Sequence, residues 1–281
     1  MPTVHLPSRA FVTVDGLEAE HFLQNLITPD LAALAADEAK PGALLTPQGK
    51  ILFDFLISRM DDGLRLDCRS DIADDLAKRL TIYKLRAKVT IAIQEQVLVA
   101  ASWGDDSSAS QSDSSVRDLR FAEPVWRHHE AAPAATTDEV AWTALRAQNG
   151  IAESGTDFAL ADVFPHDVLY DQNGGVGLKK GCFVGQEVVS RMQHRGTARR
   201  RVMIANSQDA LPESGTEITV NGRPIGTLGS SADGAGIAIV RIDRVKDALD
   251  AGHDILAGDA RLTLTIPAWA RYTLPETTAA D

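Results

Sequence analysis

The chain has 281 residues, 44% of them hydrophobic and 24% charged, with a net charge of −11; that bounds it to two or three folded units, and no apolar run approaches the ~18 residues of a membrane span. Its two cysteines, Cys68 and Cys182, form no CxxC pair and exclude a disulfide scaffold. Residues 1–6 carry neither a signal-peptide apolar core nor an Arg/Ser-rich transit pattern, so the expected compartment is reducing, bacterial-type and cytoplasmic.

Residues 11–14 alternate as a strand, and Asp15-Gly16-Leu17-Glu18 resembles a capping box opening a helix that carries Leu17, Phe22, Leu23 and Leu26. Residues 43–45 and 51–60 read as strands joined through Thr46-Pro47-Gln48-Gly49-Lys50, and 64–68 as a third, an antiparallel meander. Cys68 shares the alternation of Leu64 and Leu66, which predicts a core position. Ser70 is the expected cap of a helix through Ile72, Leu76 and Leu80, and 88–93 returns to strand. Residues 104–115 are polar, acidic and of low complexity, a solvated loop. A second connector at 131–137 precedes a helix over 138–148, with Gly150 just past its end. After Arg201, short β runs at 202–205, 217–220, 225–228, 236–240 and 262–266 alternate with turns such as Asn221-Gly222 and Asp233-Gly234, the pattern of a small barrel. Gly234-Ala235-Gly236 has no helix after it and no βαβ unit around it, which argues against a dinucleotide loop.

The densest chemistry lies in Lys179-Lys180-Gly181-Cys182-Phe183-Val184-Gly185-Gln186-Glu187, followed by a helical pattern over 188–192. Cys182 would sit just ahead of a helix N-terminus beside two lysines, and both features favour a thiolate. Gly181 and Gly185 permit close backbone approach or positive φ. The plain alternative for a lone free cysteine is a small buried hydrophobe. Between Lys179 and Arg201 seven cations stand against Glu187 alone, a local +6 that leaves −17 for the remainder. A basic segment on an acidic chain points to an anion site and against general nucleic-acid coating; its plain alternative is a solvated helix face.

The run resembles the KGC[FY]xGQE signature of the YgfZ/IBA57 family, folate-binding relatives of the glycine-cleavage T-protein that assist iron–sulfur protein maturation. Phe22 to Asp30 is similar to the family's FLQ…(L/V)T.D element, and Leu45 to Asp54 to its L.PQG+.L.D hairpin. Ala144-Leu145-Arg146, Gly150-Ile151, Gly155-Thr156-Asp157 and Phe164-Pro165 resemble its LR…GI…G.D…P series. Arg191, Arg195-Gly196 and Arg199-Arg200-Arg201 resemble its R…RG…RR run. The resemblance implies an α+β fold, with a T-protein-like body of interleaved subdomains over 1–198, divided internally near 95, a C-terminal β-barrel over 199–275 and a flexible tail at 276–281.

It further implies a folate-binding accessory protein for iron–sulfur cluster assembly or repair, with tetrahydrofolate or a derivative as cofactor. Cys182 would be the functional thiol and a cluster ligand shared with a partner, such as an A-type iron–sulfur carrier, because two cysteines cannot hold a cluster with four thiolates. Lys179, Lys180, Arg191 and Arg195 would meet an anionic glutamate tail. Gln186 and Glu187 would orient the loop or pair with a pterin, and otherwise are ordinary helix formers. Gln24, Asn25 and Asp167 complete the expected folate contacts; Asp167 could instead cap a helix. His128-His129, His166 and His194 have no second ligand at helical spacing and read as structural or solvated. The competing class is a tetrahydrofolate-dependent one-carbon transferase. Against it, residues 97–101 run into Ser102-Trp103-Gly104-Asp105-Asp106 without the LQGP turn of active T-proteins, which also carry DF.G where this chain has Gly181-Cys182-Phe183. A third class, an RNA-linked module, is argued against by the acidic remainder.

Overall fold

The computed structural model describes residues 1–94, 97–104, 115–129, 132–196 and 198–275. The chain divides into two compact units, Met1–Glu139 with Asn173–Glu187, and Val140–Gln172 with Val188–Asp281. No helix among the described residues is long and apolar enough to cross a membrane.

The first unit is built on a nine-stranded sheet. Its strands are β1 (Thr3–His5), β2 (Arg9–Asp15), β3 (Glu38–Leu45), β4 (Ile51–Met60), β5 (Gly63–Arg69), β6 (Thr90–Gln94), β7 (Ala100–Trp103), β8 (Ser115–Asp118) and β9 (Val125–His128), with helices α1 (Ala19–Gln24) and α2 (Ser70–Lys84). In space the order is β1-β7-β9-β8-β3-β4-β5-β2-β6. Neighbours are antiparallel except β3 with β8. Residue 95, the expected internal division, lies outside the described residues.

Helix α2 packs on β2, β5 and β6 through Ile72, Leu76 and Leu80, whose i, i+4, i+8 spacing puts them on one face. Burying a leucine of this kind contributes about 1.5–3 kcal/mol. Cys68 is fully buried on β5, and burial pushes its thiol up to about 12.

Both expected helix starts differ. Asp15 ends β2, and six-residue α1 opens behind Glu18, which makes no side-chain cap bond. The reason is Gly16: it holds φ +119, its N–H donates to the Asp62 carbonyl at 2.9 Å, and a Cβ there would lie 2.7 Å from the Lys88 carbonyl oxygen. The backbone is committed to a tight turn, which throws Leu17 fully into solvent and leaves Leu26 beyond the helix. In α2, Arg69 holds the cap position and Ser70 is the first helical residue; Arg69 Nε donates to Asp71 Oδ1 at 2.9 Å. Strands β1, β8 and β9 are three or four residues long, too short to display alternation. Of the expected solvated loop, residues 105–114 lie outside the described residues, as does the expected tail at 276–281.

The second unit takes in helix α3 (Glu139–Asn149) from Val140, helix α4 (Gln186–Arg195) from Val188, strands β10 (Arg200–Asn206), β11 (Glu217–Val220), β12 (Arg223–Ala232) and β13 (Ala235–Arg241), helix α5 (Ile242–Ala251), and strands β14 (Ile255–Ala257) and β15 (Ala260–Thr265). The six strands close as a barrel in the order β10-β13-β12-β11-β14-β15, which leaves no open edge. Its core includes Met203, Ile218, Leu228 and Val240, joined by Ile242, Val245 and Ala248 of α5. Asn221 and Gly222, at φ +51 and +71, make the expected two-residue hairpin between β11 and β12. The α+β class and the C-terminal barrel are therefore as expected. Helix α5 was not: its Ile242, Val245 and Ala248 stripe is visible in the sequence, but it sits inside a region read for β alternation alone.

In the second unit a buried ion pair ties α3 to the barrel. Arg146 of α3 meets Asp157 at 2.8 Å, and the other carboxylate oxygen accepts the Ser230 N–H at 2.7 Å and its hydroxyl at 2.6 Å on β12.

Candidate functional site

Three sequence motifs that lie far apart in the chain meet in the first unit. Thr28, just after α1, is fixed to β3: its N–H donates to the Ala43 carbonyl and its Oγ1 accepts the Ala43 N–H, both at 2.9 Å. Gln24 holds the same loop from inside, its Nε2 donating to Asp30 Oδ1 and its Oε1 accepting the Leu31 N–H, both at 2.8 Å. The segment that carries the thiol is then laid on this loop. The Gly177 N–H donates to the Thr28 carbonyl at 2.8 Å, and Lys180 Nζ donates to the carbonyls of Ile27 and Pro29, both at 2.8 Å. Gly177 has no room for a side chain, since a Cβ would lie 2.9 Å from the Asp30 nitrogen.

The other flank is fixed by Gly185. It holds φ +76, and a Cβ there would lie 2.6 Å from the Thr46 carbonyl oxygen and 3.0 Å from Gly49 Cα. Those residues form the β3–β4 turn, in which the Thr46 N–H donates to the Lys50 carbonyl at 2.8 Å. Between the two anchors the chain alternates. Lys180 and Phe183 are buried, with Nζ 5.3 Å from the ring centre, and Gly181 and Cys182 are exposed. The result is a thiol held at an exposed crest by side chains that point inward.

Several sequence-predicted residues have their polar groups committed to the fold. Lys180 is internal, and burial pushes its ammonium down to about 8 against the opposing pull of Asp30. The Gln24 amide is occupied at both ends, and Asn25 caps α1 by donating from Nδ2 to the His21 carbonyl at 2.8 Å. The Lys180 ammonium and the Gln24 amide are thereby engaged within the first unit, while Asn25 is exposed. Helix α4 begins at Gln186, four positions after Cys182, so Phe183 to Gly185 separate the thiol from the helix start. Lys179 and Glu187 are exposed and pair with no described residue. The inward turn of Lys180 has a readable cause: the buried loop at 27–30 carries carbonyls that need donors, and a lysine can span to two of them.

Asp167, Arg191 and Arg195 belong to the second unit. Asp167 is buried and accepts the Phe164 N–H at 3.0 Å. Burial pushes its carboxyl up to about 6 even though that bond, Arg200 and Arg201 pull the other way. With the folded value above the unfolded one near 3.8, the folded protein holds the extra proton, and stability from this group falls as pH rises from about 4 to 6. Asp167→Asn, which keeps the acceptor, should flatten that fall, measured as the difference between wild-type and variant urea midpoints at pH 4, 5, 6 and 7. Arg191 and Arg195 are exposed on α4.

His128 and His129 are held within the first unit. His128 Nε2 pairs with Ser102 Oγ at 2.8 Å, and His129 Nδ1 with Arg65 Nη1 at 2.9 Å; burial pushes His129 down to about 3. His194 is exposed. Among the described residues no group of three or more His, Cys, Asp or Glu side chains could hold a metal ion.

Against known proteins, residues 199–272 match the family described as "CAF17, C-terminal beta-barrel domain". A human protein named "Iron-sulfur cluster assembly factor IBA57, mitochondrial" is 27% identical over 94% of this chain and 84% of its own length. A protein of Enterobacter sp. (strain 638) named "tRNA-modifying protein YgfZ" is 25% identical over 80% of this chain and 79% of its own. The chain is similar in sequence to the IBA57 and YgfZ proteins. Among solved structures, glycine cleavage system aminomethyltransferase T from Bartonella henselae superposes with a TM-score of 0.74 over 95% of this chain and 85% of that one. At 16% identity that likeness shows a T-protein fold and nothing of its chemistry. The IBA57 relatives also overturn the cytoplasmic expectation: the human, mouse and Pyricularia oryzae proteins are all named as mitochondrial. That expectation rested on the lack of a leader pattern over residues 1–6, an absence that carries no compartment.

Proposed function

We propose that this protein is an iron–sulfur cluster assembly factor in which Cys182 supplies one thiolate to a cluster whose other ligands come from a partner protein, such as an A-type carrier. The observation that carries the reading is the exposed thiol on a loop pinned at Gly177, Lys180 and Gly185. Of the two cysteines, Cys68 is buried with its thiol pushed up to about 12, which withholds it from any ligand role. One accessible thiol among groups that hold no metal by themselves suits a shared cluster, since iron–sulfur clusters are held by several thiolates. The names of the IBA57 relatives support the same process.

The chain's own part is positional. A thiolate fixed on an inward-anchored crest can meet a partner's thiolates without first being ordered, which lowers the entropic cost of association. The reading takes tetrahydrofolate or a derivative as the ligand that the family resemblance implies; bound there, it would supply one-carbon or redox chemistry. Lys179, Gln186 and Glu187 are polar side chains of this segment that pair with no described residue and could meet a ligand. No step is assigned to the folate.

The test is rescue of iron–sulfur enzyme activity in cells lacking the endogenous factor, alongside calorimetric titration of tetrahydrofolate. Cys182→Ala should fold, retain folate binding and lose rescue, while Cys68→Ala should keep rescue after a modest stability loss. Full rescue by Cys182→Ala would remove the thiol from the mechanism, and no folate binding by the wild type would remove the cofactor.

A further inference from the structure

The second unit contains a cavity of about 770 Å³ that the thiol site does not use. In a chain of net charge −11 its wall is basic: Arg199, Arg201, Arg241, Arg244 and Lys246 line it against three aspartates, with Lys246 itself paired to Asp250 just outside the lining. Those aspartates are each engaged, Asp171 with Arg201 at 2.6 Å, Asp243 with Arg241 at 2.6 Å and Asp247 with Arg244 at 3.5 Å. Arg199 is exposed and lines the same cavity; its carbonyl accepts the Ile242 N–H at 2.8 Å, and its side chain pairs with no described residue.

Two buried side chains in this wall have unspent hydrogen-bonding atoms. Arg201, 8% exposed, donates from Nη1 to the His166 carbonyl at 2.9 Å and to Asp171, yet its Nε–H has no partner. His166, 1% exposed, has Nε2 3.1 Å from Gln193 Oε1; with the ring proton on Nε2, Nδ1 presents a bare lone pair, also without a partner. Burial holds this imidazole in its neutral form by lowering its pKa. Buried polar atoms of this kind are costly unless something completes them. One needs an acceptor and the other a donor, so a bare anion satisfies only the first. The volume is that of a small-molecule site.

We propose that this cavity binds a small phosphate-bearing ligand that also carries a free hydroxyl, of the sugar-phosphate class. The phosphate oxygens accept from Arg199 and from Arg201 Nε–H, and a sugar hydroxyl donates to His166 Nδ1. Arginine is suited to the first task because its planar fork matches phosphate oxygens.

The test is titration of the full chain with ribose 5-phosphate, ribose, inorganic phosphate and a tri-γ-glutamyl peptide, followed by calorimetry and by NMR of the ligand. Ribose 5-phosphate should bind at least about tenfold more tightly than phosphate or ribose alone. Arg199→Gln, at an exposed position that threatens no packing, should weaken it about tenfold. His166→Phe should weaken ribose 5-phosphate and leave phosphate unchanged, a split that general damage to the cavity would not give. Cys182→Ala should bind as the wild type does, which keeps this test separate from that of the cluster role. No binding of ribose 5-phosphate at about 10 mM, equal binding by Arg199→Gln, or tighter binding of the glutamyl peptide would each overturn the assignment.

Discussion

Asp157→Ala is expected to destabilise the protein by about 3–5 kcal/mol, the cost of removing one partner from a buried ion pair. Asp157 and Arg146 are 6% and 3% exposed, so the alanine would take the closest carboxylate from a buried guanidinium and leave it Glu153 at 3.5 Å. The carboxylate also serves four partners at once. One oxygen takes Arg146 Nη1 at 2.8 Å and the Glu153 N–H at 2.7 Å, and the other takes the Ser230 N–H and hydroxyl. Gly229 makes the approach possible, since a Cβ there would lie 2.6 Å from Asp157 Oδ1. Asp157→Asn should cost less, because the amide oxygen still accepts while the charge is lost. Urea unfolding of the three proteins checks the order. A loss below about 1 kcal/mol for the alanine variant would mean that the pair is solvated in the working protein.

How far the sequence reaches depends on whether the deciding contact is local. The Asn221-Gly222 hairpin was legible because both residues carry the positive φ the turn requires. Arg146 and Asp157 were visible as members of a motif series, but their job was not, because Ser230 lies 73 residues beyond Asp157. The Asp15 to Glu18 pattern misled for the same reason: Gly16 is turned by Asp62 and crowded by Lys88, neither of which a four-residue window contains. The site shows the limit most clearly. Charge clustering over 179–201 could not tell an inward lysine from an outward one, so Lys179 and Lys180 looked alike. In the fold one is in water and the other spans two backbone carbonyls. Conversely, the meeting of residues 22–30, 45–50 and 177–187 explains why three separated motifs resemble one family: Thr28, Thr46 and Lys180 build a single support.

Lys180→Met tests that support directly. The methionine fills much of the same channel but donates nothing, leaving the carbonyls of Ile27 and Pro29 without their ammonium at the base of the loop. At about 1–3 kcal/mol for each buried acceptor left unpaired, a loss of about 2–4 kcal/mol is expected after partial relaxation. Hydrogen exchange should locate it, with the Gly177 amide, bonded to Thr28, losing protection first. The wild type should carry a pH signature that the variant lacks. Lys180 titrates at about 8 in the folded protein against 10.5 when unfolded. Between those values the unfolded chain binds the extra proton, so this residue's contribution to stability rises with pH across the window. The neutral amine retains two N–H donors, enough for both carbonyls, so no bond is lost as it deprotonates. If Lys180→Met lowers stability and iron–sulfur rescue together while Cys182 remains exposed and reactive, the thiol works only when held in place. Unchanged rescue at reduced stability would instead show that a mobile Cys182 suffices.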